Sequence, residues 1–593
     1  MSNGQTSPSM AQGTLTQHAM LVAWGLYAQR IGLVKQLEQV KLKQKRRDHR
    51  PQTKVIEFLV AILAGLPHLQ DISLSAHPLD QDVATAEAWG QPAWADYSGV
   101  SRTLQNLSQD ETQAIANVLL EVSQPFLEQE TDLAIQRTGR LVYDGDLTGR
   151  PVSNSSSSYP DSAFGYMGDR VSLGYQAALV SLHSPTFGRL WLANQLHPGD
   201  TVSATQAQVM VRAAEARTGL RPQRRSELVA ERLTQLEAAE VKAHERCDAS
   251  YDALTLAEAK VRDTALDLAE WRREVTGLEA LSRASSRQPT AHCQLTRARR
   301  KVVTYQHRLP QMQELLARSQ RRLQRHERQW GELLAQVKLL RSHHETLLAE
   351  NQSNPSPIAA VFRLDGGFAS QENIAWLIEM GYDVYTKSRS SKVRERLAAM
   401  VSDKTEWQQV GANAKLTAWP HTTVDSLLLY AMDVALLHYQ TGDTQRRAVL
   451  LHYGTDPVTQ DREGWFHMYN GRQSIEAGIK EGKGVFQMHH LKVRSPQALQ
   501  LQEHFACFAA NFVRFAAHWL TQQQPDPSAI DTGSVKHMVQ VCAHTSAWVR
   551  KHGDVWLLTF TEQSLYAGCS LRLGNGAVQL PLPLFRNIHF CHF

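Results

Sequence analysis

The stretch 469–483, YNGRQSIEAGIKEGK, sets Tyr469, Arg472, Glu476 and Lys483 at offsets of three, seven and fourteen residues from the tyrosine. Wound as a helix at about 100° per residue, the four side chains share an arc of about 60°. One face then carries an aromatic hydroxyl, a guanidinium, a carboxylate and an ammonium. A carboxylate can hold a hard cation while arginine and lysine grip phosphate oxygens, so the set suits a metal-bound phosphodiester. A solvated helix with ordinary ion pairs is the competing reading. Gly478 and Gly482 weaken a helix, which sets Lys483 near or past its end.

Working outward, two strand-like runs bring further acids. In RLVYDGDLT (140–148), Asp144 and Asp146 alternate and project to one face. In IAAVFRLDGGF (358–368), Asp365 ends an apolar strand before Gly366-Gly367, where backbone or substrate can approach closely. Acids inside strands are disfavoured on propensity, so each needs a reason. Taken singly, a strand-end aspartate is most simply a loop cap or a surface charge.

The segments around these acids predict an α/β core. Residues 1–135 read as a helical DNA-binding or assembly region, in which SGVSRTLQNL (98–107) starts a helix capped by Ser98 or Ser101. Strand texture over 140–148, 175–184 and 187–196, then a helix near 202–217, form a first core part, 136–222. Residues 223–352 are charged, Leu-punctuated and nearly free of Gly and Pro, which predicts a helical hairpin or coiled coil broken at SRASSRQPT (282–290). Its heptads look imperfect, and Pro310 is expected to kink or interrupt the second arm. A second core part follows at 353–399, a β-rich insert at 400–462, a third core part at 463–525 and a tail at 526–593.

Composition limits the classes. The 593 residues are 42% hydrophobic, 20% charged and 7% aromatic, as in a soluble globular chain. No apolar run reaches the roughly 18–20 residues of a membrane span, the longest candidate, 55–66, being broken by Glu57 and Gly65. The first residues lack a basic-then-apolar leader, which predicts no secretory signal and a cytoplasmic protein, nucleoid-associated when bound to DNA. Six scattered cysteines make no C-x-x-C pair, which excludes a disulfide scaffold and the familiar zinc spacings. The net charge of +5 averages unlike parts. Residues 41–54 hold seven Lys/Arg against one Asp, and residues 281–330 hold twelve against two Glu. Such strips suggest a polyanion, with a solvated face as the plain alternative.

Y-x2-R-x3-E-x6-K resembles the signature of DDE-type insertion-sequence transposases, matched here at Tyr469, Arg472, Glu476 and Lys483. DGDLT (144–148) resembles that group's first-aspartate motif and RLDGGF its second. The resemblance implies an RNase H-like core, with Asp146, Asp365 and Glu476 as the catalytic acids. They would hold two Mg²⁺ (or Mn²⁺) ions that drive in-line cleavage of element ends and strand transfer. Asp146 is favoured over Asp144 because its spacing to Thr148 matches the pattern; Asp144 would be a further ligand or a supporting group. Tyr469, Arg472 and Lys483 would grip phosphates, and Trp407 and Trp419 are candidates to stack a displaced base. The implied partners are the element's terminal inverted repeats, target DNA and a second copy of the chain, with no membrane. Two alternatives stay open: a nuclease that never joins DNA, and a non-catalytic or domesticated DNA-binding protein built round the basic coiled coil.

Overall fold

The computed structural model describes residues 13–45, 48–284, 289–422, 429–490, 492–522, 534–564 and 570–574. Its strands are β1 (Thr14–Thr16), β2 (Arg140–Pro151), β3 (Ala163–Tyr166), β4 (Val171–Ser184) and β5 (Gly188–Pro198). They continue with β6 (Ala359–Leu364), β7 (Asp383–Ser388), β8 (Gln408–Gly411), β9 (Ala414–Thr422), β10 (Met432–Thr441) and β11 (Thr444–Tyr453). The last three are β12 (Ala547–His552), β13 (Val555–Phe560) and β14 (Ser570–Leu573). The chain divides into two compact units, one of 1–223 with 356–593 and one of 224–355.

In the first unit, β2 to β11 build one mixed sheet in the order β3-β4-β2-β6-β7-β11-β10-β9-β8, with β5 beside β4. Strands β2, β6 and β7 run parallel, whereas β4 and β5 are antiparallel to their neighbours. The parallel strands are buried on both faces, which explains continuous apolar runs such as 141–143 and 360–362. The helix Pro496–Gln522 packs on β5, and Gln109–Thr138 packs against β2. The latter starts on a reciprocal capping box between Ser108 and Glu111 and stops at Gly139 in the left-handed region.

Three details differ from the sequence reading. The β-rich segment makes no sheet of its own: β11 pairs with β7, so β8–β11 extend the main sheet across what would otherwise be an open edge. The tail and the first described residues share a sheet of order β1-β12-β13-β14, a pairing between distant segments. The helix Tyr97–Gln105 is capped by Asp96, whose carboxylate accepts the Gly99 amide at 2.9 Å, and not by Ser98 or Ser101.

The second unit is an antiparallel hairpin of two helices, Ser226–Ala284 and Pro289–Gln352. The second arm runs through Pro310 without a break. The seam is regular: buried Val229, Ala243, Cys247, Ser250, Ala257, Thr264 and Leu268 lie on one seven-residue frame, as do Leu295, Ala298, Leu323, Val337 and Leu347 on the other arm. Its small and polar members hide the pattern in the sequence. Ser250 and His326 share a hydrogen bond of 2.8 Å across the seam, and Arg299–Glu279 (2.7 Å) and Arg341–Glu237 (2.6 Å) fix the register at its flanks.

Candidate active site

Strands β2 and β6 pair in parallel with Asp144 opposite Arg363 and Gly145 opposite Leu364. Continuing that register sets Asp146 beside Asp365 at the carboxyl ends of neighbouring strands, about 4.8 Å apart in backbone spacing. Glu476 comes from the helix Gln473–Gly484, which packs on β2. Arg472, at the cap of that helix, joins the acids: one guanidinium nitrogen is 3.4 Å from Asp146 Oδ2 and the other donates to Glu476 Oε1. Arg389, beyond β7, reaches Asp365 at 3.3 Å.

These contacts bias the charges. Burial pushes the Asp146 carboxyl up to about 6; Arg472 and the Leu147 amide oppose that rise, and the charges of Asp365 and Glu476 add to it. At Asp365 burial also acts upward, but Arg472, Arg389 and the amides of Gly366 and Gly367 prevail and hold it below the ordinary value. Burial works against the Arg472 cation, yet Asp146, Tyr469, Glu476 and Asp365 together raise its pKa further. Arg472 is thus the main counter-charge of three mutually repelling carboxylates.

Two glycines shape this region by close approach. The sequence reads 469–483 as one helix, but Tyr469 ends the helix Arg462–Asn470 and a second helix starts at Gln473. A Cβ on Gly471, at the break, would collide with the Arg363 guanidinium, which donates to the Met468 carbonyl at 2.9 Å. A Cβ on Gly478 would collide with Arg189, which donates to the Ser474 carbonyl and pairs with Glu481. Glu481 also receives Arg514 at 2.9 Å. Lys483 lies inside the last turn of the second helix, and not beyond it. Burial lowers its pKa, helped by Arg150 and opposed by Asp146 and Glu503.

Asp144 has a different task from the ligand role considered for it. Its side chain is 1% exposed, and Arg363 holds both its oxygens, at 2.6 and 2.7 Å. The Ser474 hydroxyl donates to it at 3.2 Å. The Asp144–Arg363 pair therefore ties β2, β6, the end of one helix and the start of the next. Those are the elements that carry Asp146, Asp365, Arg472 and Glu476. Tyr469 is buried in the apolar cluster with Val361, Tyr385, Leu450 and Trp465, its hydroxyl unpaired and the Lys387 ammonium 4.9 Å over its ring. Trp407 sits against His438 and Lys415, and Trp419 is half-buried on β9 opposite Val434; neither belongs to the set formed by the acids and Arg472.

Arg363, Lys387, Arg389 and Ser474 escaped the sequence reading. A signal existed for three of them: Arg363 stands two residues before Asp365 as Asp144 does before Asp146, and Lys387 and Arg389 alternate at the end of the next parallel strand. Among the described residues no three His, Cys, Asp or Glu side chains are arranged to hold a metal ion. The reason is local, since Arg472 lies against both Asp146 and Glu476. The donor chemistry still fits a hard divalent cation: three carboxylates, no thiolate and no imidazole, with repulsion that a cation would relieve.

Residues 331–512 match the family model described as transposase DDE domain. That stretch is a transposase DDE domain. The matched stretch takes in Asp365, Tyr469, Arg472, Glu476 and Lys483, whereas Asp146 lies before it. The matched domain is that of an enzyme acting on DNA. Among solved structures, the outer membrane protein VceC from Vibrio cholerae is 12% identical, with 68% of this chain and 90% of that one covered, at a TM-score of 0.14. That score is too low to carry an argument about the transposase. No curated protein matches it. Among the described residues no helix is long and apolar enough to cross a membrane.

Proposed function

We propose that the acidic cluster cleaves the DNA ends of the transposase's own mobile element, an insertion sequence, and joins them to target DNA. The observation that carries this reading is the meeting of Asp146, Asp365 and Glu476 from two adjacent parallel strand ends and one helix, with Arg472 among them. The order β5-β4-β2-β6-β7, in which β4 alone runs against the other four, is the order expected of an RNase H-like core and supports the same reading.

Asp146, Asp365 and Glu476 are the residues that would hold divalent metal, Mg²⁺ or Mn²⁺ and two ions by resemblance. Bound there, the metal would supply a nucleophile at neutral pH and charge stabilisation at the departing oxygen. The chain's own cations position the substrate. Arg472, released from the carboxylates, offers a planar fork to a phosphate, and Lys387, Arg389 and Lys483 add positive charge around the acids. Tyr469 interacts electrostatically with Arg472 and would offer its hydroxyl to a phosphate once the site rearranges. Trp407 and Trp419 remain candidates for stacking a base, with a homodimer pairing two ends.

Asp365→Asn and Glu476→Gln should each abolish cleavage of element-end DNA in Mg²⁺ and leave binding of that DNA intact. Undiminished cleavage by either variant overturns the site. Cleavage by the native protein without any joined product reduces the reading to a nuclease.

A further inference from the structure

The two arms of the hairpin share one geometry but not one charge. The first arm carries eight Lys/Arg against 13 Asp/Glu, the second 12 against five. Solubility alone does not demand that asymmetry. On the frame set by Leu295, Ala298, Leu323, Val337 and Leu347, the residues Arg297, Arg318 and Arg325 share one outward column. Arg300, Arg321 and Arg328 share the next. The six thus form three pairs, 297/300, 318/321 and 325/328, and all six are exposed.

Arg318 pairs with Glu314 one turn away, while among the described residues the other five enter no ion pair. The first arm does not neutralise them, because these columns face away from the seam. The cross-arm pairs come from Arg299 and Arg341, which flank it.

The spacing points to a partner. The first and second pairs are three heptads apart, about 32 Å at the rise of an α-helix. One turn of B-form DNA is about 34 Å. Phosphates of a duplex lying along the arm therefore return to the protein side at both the first and the second pair, and the third pair, one heptad on, extends the second contact. A guanidinium fork matches a phosphate, and a duplex offers one charge per about 1.7 Å. The first arm of a second copy is a poorer partner, because its acids are interleaved with eight cations.

We propose that the outer face of the second arm binds duplex DNA through its phosphates, without reading sequence, as a surface separate from the acidic cluster. The test is full-length protein with all six arginines changed to Gln, its helix content checked by circular dichroism. Fluorescence anisotropy would follow binding to a duplex of arbitrary sequence, about 30 base pairs long, over a range of salt. Affinity should fall at least about tenfold at physiological salt, and the log–log salt slope should become shallower by about 5. Changing only Arg297 and Arg300 should weaken the long duplex yet leave one of about 8 base pairs, too short to reach from the first pair to the second, unaffected. Unchanged affinity and slope in the sixfold variant overturn the proposal. So does weakened self-association with DNA binding intact, which would assign the face to another copy's first arm. Cleavage by the acidic cluster is tested separately through Asp365 and Glu476, so the two readings fail independently.

Discussion

The acidic cluster and the helical hairpin use the same residue types to opposite effect. In the cluster, charges are buried and paired: Arg363 is 4% exposed, Asp144 1% and Arg472 7%, and each holds or is held by an oppositely charged partner. In the hairpin the six outward arginines lie where water screens them, and among the described residues five of them enter no ion pair. Charge in low dielectric fixes geometry and punishes the loss of a partner, whereas exposed charge contributes little to stability and stays available to a ligand.

The largest expected effect breaks the buried side of that contrast. Arg363→Ala strands Asp144 and frees the Met468 carbonyl, so unfolding free energy in urea should fall by about 3–5 kcal/mol. Cleavage should be lost with it. Arg363→Met combined with Asp144→Leu should regain most of the stability but not the cleavage; full recovery of both would show that the pair does not position the site.

Next comes a titration. Burial holds the His504 imidazole down, at about 4, against a minor opposing pull from Glu503. The unfolded chain binds that proton near pH 6.5, so the stabilisation is complete above that value and is lost as pH falls towards 4. The loss amounts to roughly 2–3 kcal/mol. His504→Gln should flatten the wild-type decline between those pH values, and an unchanged slope would remove His504 as its source.

The hairpin should respond more weakly. Trp330→Phe removes the indole bond to Glu240 at the seam and should cost about 1 kcal/mol, seen as a lower melting temperature of the helical signal. Glu314→Gln removes the exposed partner of Arg318 and should cost about 0.3 kcal/mol, near the limit of a chemical melt. An effect as large as that of Arg363→Ala would erase the contrast between the two regions.

Much of the core was legible because spacing carries it. A strand's period of two and the offsets from Tyr469 to Lys483 are properties of the chain itself. The same logic failed where a neighbour decides. One arc of helix joined Tyr469 to Lys483 on paper, but Gly471 yields to the Arg363 guanidinium and the helix divides there. Asp144 and Asp146 were nearly equivalent candidates on one strand face. Arg363, 219 residues on, claims both oxygens of the first and leaves the second to Arg472.

By itself the sequence determined the periodic elements, the acids, the basic strips and the long helical arms, because local spacing and composition dictate them. Only the tertiary structure decided which acid faces which cation, how β8–β11 extend the main sheet, and that an unpromising pattern of Ala, Ser, Thr and Leu closes a regular seam. Those outcomes depend on burial and on partners far along the chain, and neither is written in the local sequence.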